Sequence, residues 1–301
     1  MYLKVYNKKK MLNSQHLSEF DKNGFLVLPD FIQTEDLSDL IKAAEELVKT
    51  FDVSQHPLTT FETSHVRQNH SDYFLQSGDT IRFFLEESAV KDGKLDLEPR
   101  LSVNKIGHAL HELNPVYRRF SSNESIKAIA RSFQYKDPRI LQSMLIFKQP
   151  KIGGPVTLHQ DSTFLFTEPL SAIGFWFALE DCTPTNGCLW FLPGSHKTHP
   201  VTRRFVRSKQ LGTEFINIDT PEIPVSHVDE QEYVCVPVKA GSLVLIHGSV
   251  IHKSEANLSD KSRWAYAFHI IEGEDAGCQY PTNNWLQPSA NIPFTKLYSF
   301  H

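Results

Sequence analysis

Three features are scarce in the sequence, and each scarcity excludes a class of protein. The four cysteines form no C-x-x-C pair, so neither a structural zinc module nor a paired redox centre is predicted. No segment approaches the roughly 18 to 20 apolar residues that cross a bilayer, and no apolar stretch resembles a signal peptide. Basic residues are not in excess, since the net charge is −4 at pH 7. We therefore expect no membrane association and no nucleic-acid partner.

The remaining composition is that of an ordinary globular protein. The 301 residues are 40% hydrophobic and 22% charged, and a chain of this size buries roughly 75% of the surface that it exposes when unfolded. Such a core can enclose a dry cavity for a small-molecule substrate. The cysteine usage fits a reducing compartment, and the ending Ser299 to His301 differs from the S-K-L peroxisomal signal. We expect a cytoplasmic protein, and no sequence feature indicates its oligomeric state.

The chain has a helical part followed by a part made of short strands. An amphipathic helix is predicted from Thr34, which can cap it, through Phe51. Further helices are expected over residues 106–113 and behind Asn123. From about residue 136, short β-prone segments alternate with turns, without an internal repeat or a low-complexity linker. We expect a mainly β fold with helical decoration, in which N-terminal helices cover a β jelly roll.

The expected organisation is a single domain over residues 1–301. Its parts are a flexible lead-in (1–14), a mainly helical support (15–135), the jelly-roll core (136–275) and a C-terminal tail (276–301). Two turn sequences, Asp92-Gly93 and Asn186-Gly187, predict hairpins because these residue types tolerate positive φ. The second would pair the segment GFWFALE with CLWFLP.

An H-x-D motif occurs three times, and its context distinguishes one copy. His70 with Asp72 and His227 with Asp229 lie in polar stretches beside turn formers, where a solvated loop is expected. The third copy, His159 with Asp161, lies in the β-prone segment 156–166. Residues two apart on a strand point to the same face, so this copy can present an imidazole and a carboxylate to one metal ion.

A third ligand would complete a metal site. Two histidines and one carboxylate on one face of an octahedron characterise non-haem iron(II) oxygenases, although the same ligands also suit zinc with an open water position. His247 and His252 compete for the third place, and five residues apart on a strand they would face opposite ways. His108 and His111, three apart on the predicted helix 106–113, have no apparent third ligand and are interpreted as packing or surface histidines.

Several long phrases of the chain resemble the phytanoyl-CoA dioxygenase family. They are SMLIFKQP, LHQDSTFLFTEP, WFALEDCTPTNGCLWFLPGSHK and GSLVLIHGSVIHKSEANLSDKSR, together with NKIGHALHELNP and DKNGFLVLPDF. Within that family, the sequence resembles a different subgroup more closely than it resembles the peroxisomal phytanoyl-CoA hydroxylase. The resemblance implies a double-stranded β-helix, the cupin-like jelly-roll barrel, that binds Fe(II) and uses 2-oxoglutarate and dioxygen as co-substrates.

The resemblance also implies roles for individual residues. It places the distal metal ligand in an H-x-S segment followed eleven residues later by arginine, which here are His252, Ser254 and Arg263. His247 then becomes a structural histidine. Arg263 would bind the far carboxylate of 2-oxoglutarate through its planar fork, and Ser254 would add a hydroxyl donor. The resemblance further implies that the co-substrate pocket is lined by Lys105, Met144 and Trp176. From the residues alone, that lysine reads as solvated and the other two as core.

The ligand set His159, Asp161 and His252 therefore predicts an oxygenase that converts 2-oxoglutarate to succinate and CO2 and hydroxylates a small molecule. Two alternatives stay open: a jelly-roll protein that binds metal and ligand without catalysis, and a zinc hydrolase in which Arg263 has no obvious task. An acyl-CoA is one candidate substrate by resemblance. No strongly basic cradle for its phosphates is evident, and a small metabolite fits as well.

Overall fold

The computed structural model describes residues 11–60, 72–210, 212–218 and 230–298. The helices are α1 (Ser14–Asn23), α2 (Thr34–Lys49), α3 (Asp72–Leu75), α4 (Pro99–Ser102), α5 (Leu110–Leu113), α6 (Pro115–Ser121), α7 (Glu124–Ser132) and α8 (Ser195–Thr198). The strands are β1 (Phe25–Leu28), β2 (Ile81–Leu85), β3 (Val90–Lys91), β4 (Lys94–Leu95), β5 (Val103–His108), β6 (Pro138–Lys148), β7 (Val156–His159), β8 (Ile173–Ala178), β9 (Leu189–Phe191), β10 (Arg203–Ser208), β11 (Gly212–Asn217), β12 (Val234–Val236), β13 (Leu243–His247), β14 (His252–Ser254), β15 (Arg263–Glu272) and β16 (Thr295–Lys296).

Two antiparallel sheets form the centre of the molecule. The larger has eight strands in the order β1-β13-β8-β15-β6-β5-β2, with β16 also paired to β6, and the smaller has the order β12-β9-β14-β7. From β6 onward the chain passes repeatedly between them, which is the double-sheet pattern of a jelly roll. The prediction of a mainly β fold with helical decoration is confirmed. In the described ranges no strand pairing joins the two sheets, so they are not closed into a barrel.

Strand alternation gives the larger sheet two different faces. On β8, Phe175 and Phe177 point to one side, and on β15, Tyr266 and Phe268 join them; all four are fully buried. The intervening residues, such as Trp176, line a cavity on the other side. Because side chains alternate along a strand, one face can be wholly apolar while the other carries chemistry.

Helices cover the apolar face of the larger sheet. Leu40 of α2, Tyr117 and Phe120 of α6 and Ile129 of α7 belong to the same buried cluster as the sheet's aromatic residues. The hydroxyl of Tyr117 donates to the carbonyl of Leu40 at 2.7 Å, so burial of this ring leaves no polar atom unsatisfied. The helices therefore shield one face of the sheet and leave the other to the smaller sheet.

Several local predictions are confirmed. Helix α2 spans most of the predicted amphipathic segment, although Thr34 is its first helical residue and the N-cap is Gln33, whose side chain makes no capping hydrogen bond. Asn123 caps α7 by accepting from the N–H groups of Ser125 and Ile126. The Asp92-Gly93 turn joins β3 to β4, with positive φ at both residues.

Two local predictions are wrong. Residues 103–108 form strand β5, which pairs with β6, and only residues 110–113 form the short helix α5. The sheet partner thus overrides the helical spacing of Ile106 and Leu110. The turn at Asn186-Gly187 does not close a hairpin, because β8 and β9 lie in different sheets and the segment crosses between them.

Within the described ranges, no helix is both long and apolar enough to cross a bilayer.

Candidate metal centre

The structure brings three of the predicted residues together between the two sheets. Potential ligand atoms of His159, Asp161 and His252 all lie within 4.8 Å of one another. The Nε2 atoms of His159 and His252 are 3.5 Å and 3.7 Å from Oδ1 of Asp161. The two histidines are register partners on β7 and β14. This arrangement is positioned to bind iron through two imidazoles and one carboxylate.

Asp161 reaches this position by a different backbone path from the predicted strand. Strand β7 ends at His159, and Asp161 begins a 3-10 turn that continues to Thr163. The N–H of Ser162 donates to the carbonyl of Gly248, in the loop between β13 and β14, at 2.8 Å. The loop contact takes the hydrogen bond that a neighbouring strand would have used, so the expectation of one strand through residue 166 is wrong.

Backbone hydrogen bonds set both imidazoles for metal binding. A carbonyl oxygen can only accept, so Nδ1–H of His159 donates to Thr157 at 2.8 Å and Nδ1–H of His252 donates to Val250 at 3.1 Å. Each ring then carries its lone pair on Nε2, the atom that faces Asp161. Burial, with a further contribution from His159, lowers the pKa of His252 to about 4, so this ring is neutral at pH 7.

The second oxygen of Asp161 is held by His269 on β15. Nε2–H of His269 donates to Oδ2 at 3.1 Å. Burial raises the pKa of Asp161, but the hydrogen-bonded His269 opposes burial, and the net effect holds this pKa well below its usual range. Gly174 makes room for the pair, because a Cβ there would lie 3.2 Å from Nε2 of His269 and 3.3 Å from Oδ2. The carboxylate is therefore fixed and ionised.

The other histidine motifs lie elsewhere. His247 ends β13, where its Nδ1 accepts from the N–H of Ser249 at 3.1 Å and its ring packs against His196. His252, not His247, joins the cluster. His70, His227 and Asp229 lie outside the described ranges, whereas Asp72 is the first residue of α3.

A single cavity of about 220 Å³ connects the metal cluster with every other predicted site residue. Its wall includes His159, Asp161, His252, Arg263, Ser254, Lys105, Met144 and Trp176. These side chains come from β5, β6, β7, β8, β14 and β15 and from the turn after β7. Both sheets therefore contribute to one site.

Arg263 presents unsatisfied donors to this cavity. The side chain begins β15 and is only 1% exposed, and among the described residues its Nε and Nη1 atoms have no hydrogen-bond partner. Its Cζ lies 5.4 Å from the ring centroid of Trp176, within the range of a cation–π contact. A buried charged donor without a partner is costly. A carboxylate bound in the cavity would satisfy it through two parallel hydrogen bonds.

The remaining predicted pocket residues are also buried. Lys105 is 8% exposed, and burial lowers its pKa to about 7 although Asp161 opposes the shift. Met144 on β6 and Trp176 on β8 lie on either side of β15, because both are paired with Ala267 of that strand. Ser254 ends β14 and is buried. The alternative of a solvated Lys105 does not hold in this structure.

Sequence reasoning missed several cavity residues, including His269, Gln142 and Lys148. Lys148 is buried, and its Nζ donates to the carbonyls of Gly154 at 2.5 Å and Glu255 at 2.7 Å. Strand parity was the available signal, since His269 and Arg263 are both odd-numbered residues of β15 and share its inner face. Gln142 and Lys148 share a face of β6 in the same way.

The chain belongs to the phytanoyl-CoA dioxygenase family. The family model described as Phytanoyl-CoA dioxygenase (PhyH) matches residues 20–265. Phytanoyl-CoA dioxygenase domain-containing protein 1 of Bos taurus is 45% identical over 297 residues, covering 96% of this chain and 99% of the relative. This relative bears the name of the subgroup that the sequence resembles.

Solved structures support the fold independently. The non-heme alpha ketoglutarate dependent carbocyclase SnoK from nogalamycin biosynthesis aligns with a TM-score of 0.59 at 18% identity, covering 95% of this chain and 97% of its own. EctD from S. alaskensis, solved with 2-oxoglutarate and 5-hydroxyectoine, aligns with a TM-score of 0.57 at 19% identity, covering 86% and 76%. At this identity the likeness establishes the jelly roll as the fold.

Proposed function

We propose that this chain is an iron(II)- and 2-oxoglutarate-dependent dioxygenase that oxidises a small molecule. The observation that carries the proposal is the pairing of two features in one cavity. A two-histidine, one-carboxylate cluster lies there with free Nε2 lone pairs, and the same cavity contains the buried guanidinium of Arg263 with unsatisfied N–H donors. A zinc hydrolase would need the first feature but not the second.

The residues have distinct roles in this proposal. His159, Asp161 and His252 hold the metal and leave three coordination positions open. Arg263 binds the far carboxylate of 2-oxoglutarate, and Ser254 adds a hydroxyl donor. Along the co-substrate, the wall is completed by Lys105, which supplies charge, and by Met144 and Trp176, which exclude water.

Bound iron, with 2-oxoglutarate and dioxygen, supplies the oxidation that yields succinate, CO2 and a hydroxylated product. The protein's own share is orientation and a dry environment. His269 and the two backbone carbonyls keep the three ligands in fixed directions, as outer partners of metal ligands do. The burial of Arg263 strengthens its pairing with a bound carboxylate, because charges attract each other more strongly in a protein interior than in water.

Three broader points belong to the same proposal. A single catalytic domain over residues 1–301 is supported by β1, β2 and β5, which hydrogen-bond into the sheet that carries β6, β8 and β15. A cytoplasmic location is supported by four cysteines that are all free thiols in the structure. The substrate is a small molecule, for which an acyl-CoA remains the family-based candidate.

Succinate formation from 2-oxoglutarate tests this function. We expect iron-dependent succinate release that a mixture of metabolites accelerates, and a loss of at least about 100-fold in Asp161→Ala and His159→Ala. Removing an outer partner of a ligand already costs 10- to 100-fold. His199→Ala is the control, because its side chain hydrogen-bonds to the neighbouring Thr198 and is not among the residues that line the cavity. Equal succinate release in Asp161→Ala and the wild type would disprove the proposal.

A further inference from the structure

The cavity has a second end whose chemistry differs from the Arg263 end. On β15, Arg263 and His269 lie six residues apart on the cavity face, and their register partners on β6 are Lys148 and Gln142. The Arg263 end carries two buried basic side chains, Arg263 and Lys148, and burial lowers the pKa of Lys148 well below its usual range. The other end, beside His269 and the metal ligand Asp161, is lined instead by aromatic rings, Gln142 and His108.

Aromatic rings enclose this second end. Phe74 stacks on Trp285 with centroids 4.5 Å apart and an interplanar angle of 12°, and His108 meets Trp285 edge-on at 5.5 Å. Phe164 connects this wall to the metal cluster, since its ring lies 6.1 Å from that of His159. A molecule bound here is in apolar contact on several sides and next to the metal.

Gln142 points an unsatisfied acceptor into this compartment. A carboxylate only accepts, so the bond from His269 to Asp161 requires the proton on Nε2 of His269. The amide Nε2 of Gln142 lies 3.5 Å from Nδ1 of His269. In this orientation of the amide, Oε1 is directed away from His269. Gln142 is 5% exposed, and Oε1 has no hydrogen-bond partner within the part of the chain that the structure describes.

His108 contributes a second acceptor by similar logic. The hydroxyl of Ser77 donates to the carbonyl of Phe74 at 2.6 Å, so it accepts from Nδ1–H of His108 at 2.7 Å. Nε2 of His108 therefore carries a lone pair. Burial, with Lys105 nearby, lowers the pKa of His108 to about 3, so the ring stays neutral at physiological pH.

We propose that, if the dioxygenase function holds, the substrate is a compact and largely apolar molecule with an O–H or N–H donor, which Gln142 and His108 orient beside the metal. Two acceptors match a hydroxyl or amino group, whereas an ester or thioester carbonyl offers no hydrogen to either. Size agrees, because about 220 Å³ must also hold 2-oxoglutarate, and pockets for drug-sized ligands are typically ~300–1,000 Å³. Most of an acyl-CoA would have to lie outside this volume.

Two isomeric probes test this substrate class: benzyl alcohol, which donates a hydrogen bond, and anisole, which only accepts. The wild-type protein is loaded with iron(II) and 2-oxoglutarate without oxygen, and dissociation constants are taken from the paramagnetic broadening of the probes' ring protons. We expect benzyl alcohol to bind about tenfold more tightly, the value of roughly one good hydrogen bond. In Gln142→Met and in His108→Phe this preference should fall to about twofold or less.

The outcomes separate this proposal from the proposed function. A wild-type protein that binds no 2-oxoglutarate in the presence of iron disproves the function itself. If both co-factors bind but the isomers bind equally, or neither is broadened, the substrate class is wrong. A preference that persists in both variants rules out the orienting role of Gln142 and His108. The ratio between isomers is the readout, because a general loss of packing weakens both probes alike; if one variant does not fold, the other carries the test.

Discussion

Single atoms decide how the metal cluster is prepared. His159 and His252 each donate Nδ1–H to a carbonyl two residues earlier in the chain. Asp161 accepts from His269 on the oxygen that the cluster does not share with the two histidine Nε2 atoms. Each ligand is thus oriented by an interaction outside the cluster. Metal binding then costs less conformational entropy, because the side chains are already ordered.

The fork of Arg263 leads to the first residue-scale prediction. Arg263→Lys should raise the KM for 2-oxoglutarate by about 10- to 100-fold, because lysine replaces two parallel charge-assisted hydrogen bonds by one. Steady-state succinate assays measure this change. Arg119→Lys is the control, since that side chain is 64% exposed. An unchanged KM in Arg263→Lys would show that 2-oxoglutarate binds elsewhere.

At the same scale, the sequence identified the candidate ligands and Arg263 but not the residues that support them. The H-x-D motif is a local feature, and the choice of His252, Ser254 and Arg263 came from the motif of the family that the chain resembles. Gln142 and His269 are more than 100 positions apart and meet only because β6 and β15 pair. No local pattern encodes that register.

At the scale of elements, glycine at the crossing between the sheets is a structural requirement. Gly187 has φ +86, and a Cβ there would lie 2.6 Å from Cδ of Lys148 and 2.7 Å from the carbonyl of Glu255. Gly93, in the β3–β4 turn, has φ +70 but no atom within 4 Å of its Cβ position. A substitution at Gly93 therefore tests backbone strain alone, whereas a substitution at Gly187 tests backbone strain together with steric overlap.

Gly187→Ala should lower the free energy of unfolding by at least about 3 kcal/mol, whereas Gly93→Ala should lower it by about 1 to 2 kcal/mol. The left-handed backbone disfavours alanine at both positions, but only Gly187 also meets occupied space. Denaturant titration of both variants gives the comparison. Equal losses would mean that Lys148 moves aside without cost.

Element types were more predictable than their partners. Periodicity located α2, α7 and most strands of residues 136–275, because those signals are carried by neighbouring residues. Neighbouring residues do not determine which strand a given strand pairs with. Segments β8 and β9 with Asn186-Gly187 between them have the sequence of a hairpin, yet the jelly roll places them in different sheets. Residues 103–108 likewise become a strand because β6 offers them an edge.

At the scale of the whole molecule, buried histidines make the fold sensitive to acid. Burial lowers the pKa of His108 and His111 to about 3 and that of His247 and His252 to about 4, from 6.5. Between pH 6.5 and about 4 the unfolded chain binds protons at these positions that the folded chain does not. The free energy of unfolding therefore falls as the pH falls.

We expect each of these histidines to contribute a loss of about 1.4 kcal/mol per pH unit in that interval. Denaturant titration of the metal-free chain from pH 7 to pH 4 measures the slope, and His111→Phe, which removes one such group, should reduce it. A free energy of unfolding that stays constant between pH 7 and pH 5 would show that these rings are protonated in the folded protein.

The whole fold explains how distant segments form one site. Residues between positions 105 and 263 meet because β5 pairs with β6 and because, from β6 onward, the chain passes repeatedly between two sheets whose facing sides line the cavity. The central claim is that this cavity binds iron and 2-oxoglutarate together.

Anaerobic titration of 2-oxoglutarate into the wild-type protein, with and without iron(II), tests that claim most directly. We predict one iron and one 2-oxoglutarate per chain, with 2-oxoglutarate binding that depends on iron and is lost in Asp161→Ala. Binding of 2-oxoglutarate that is equally tight without iron, or unchanged in Asp161→Ala, would contradict the account.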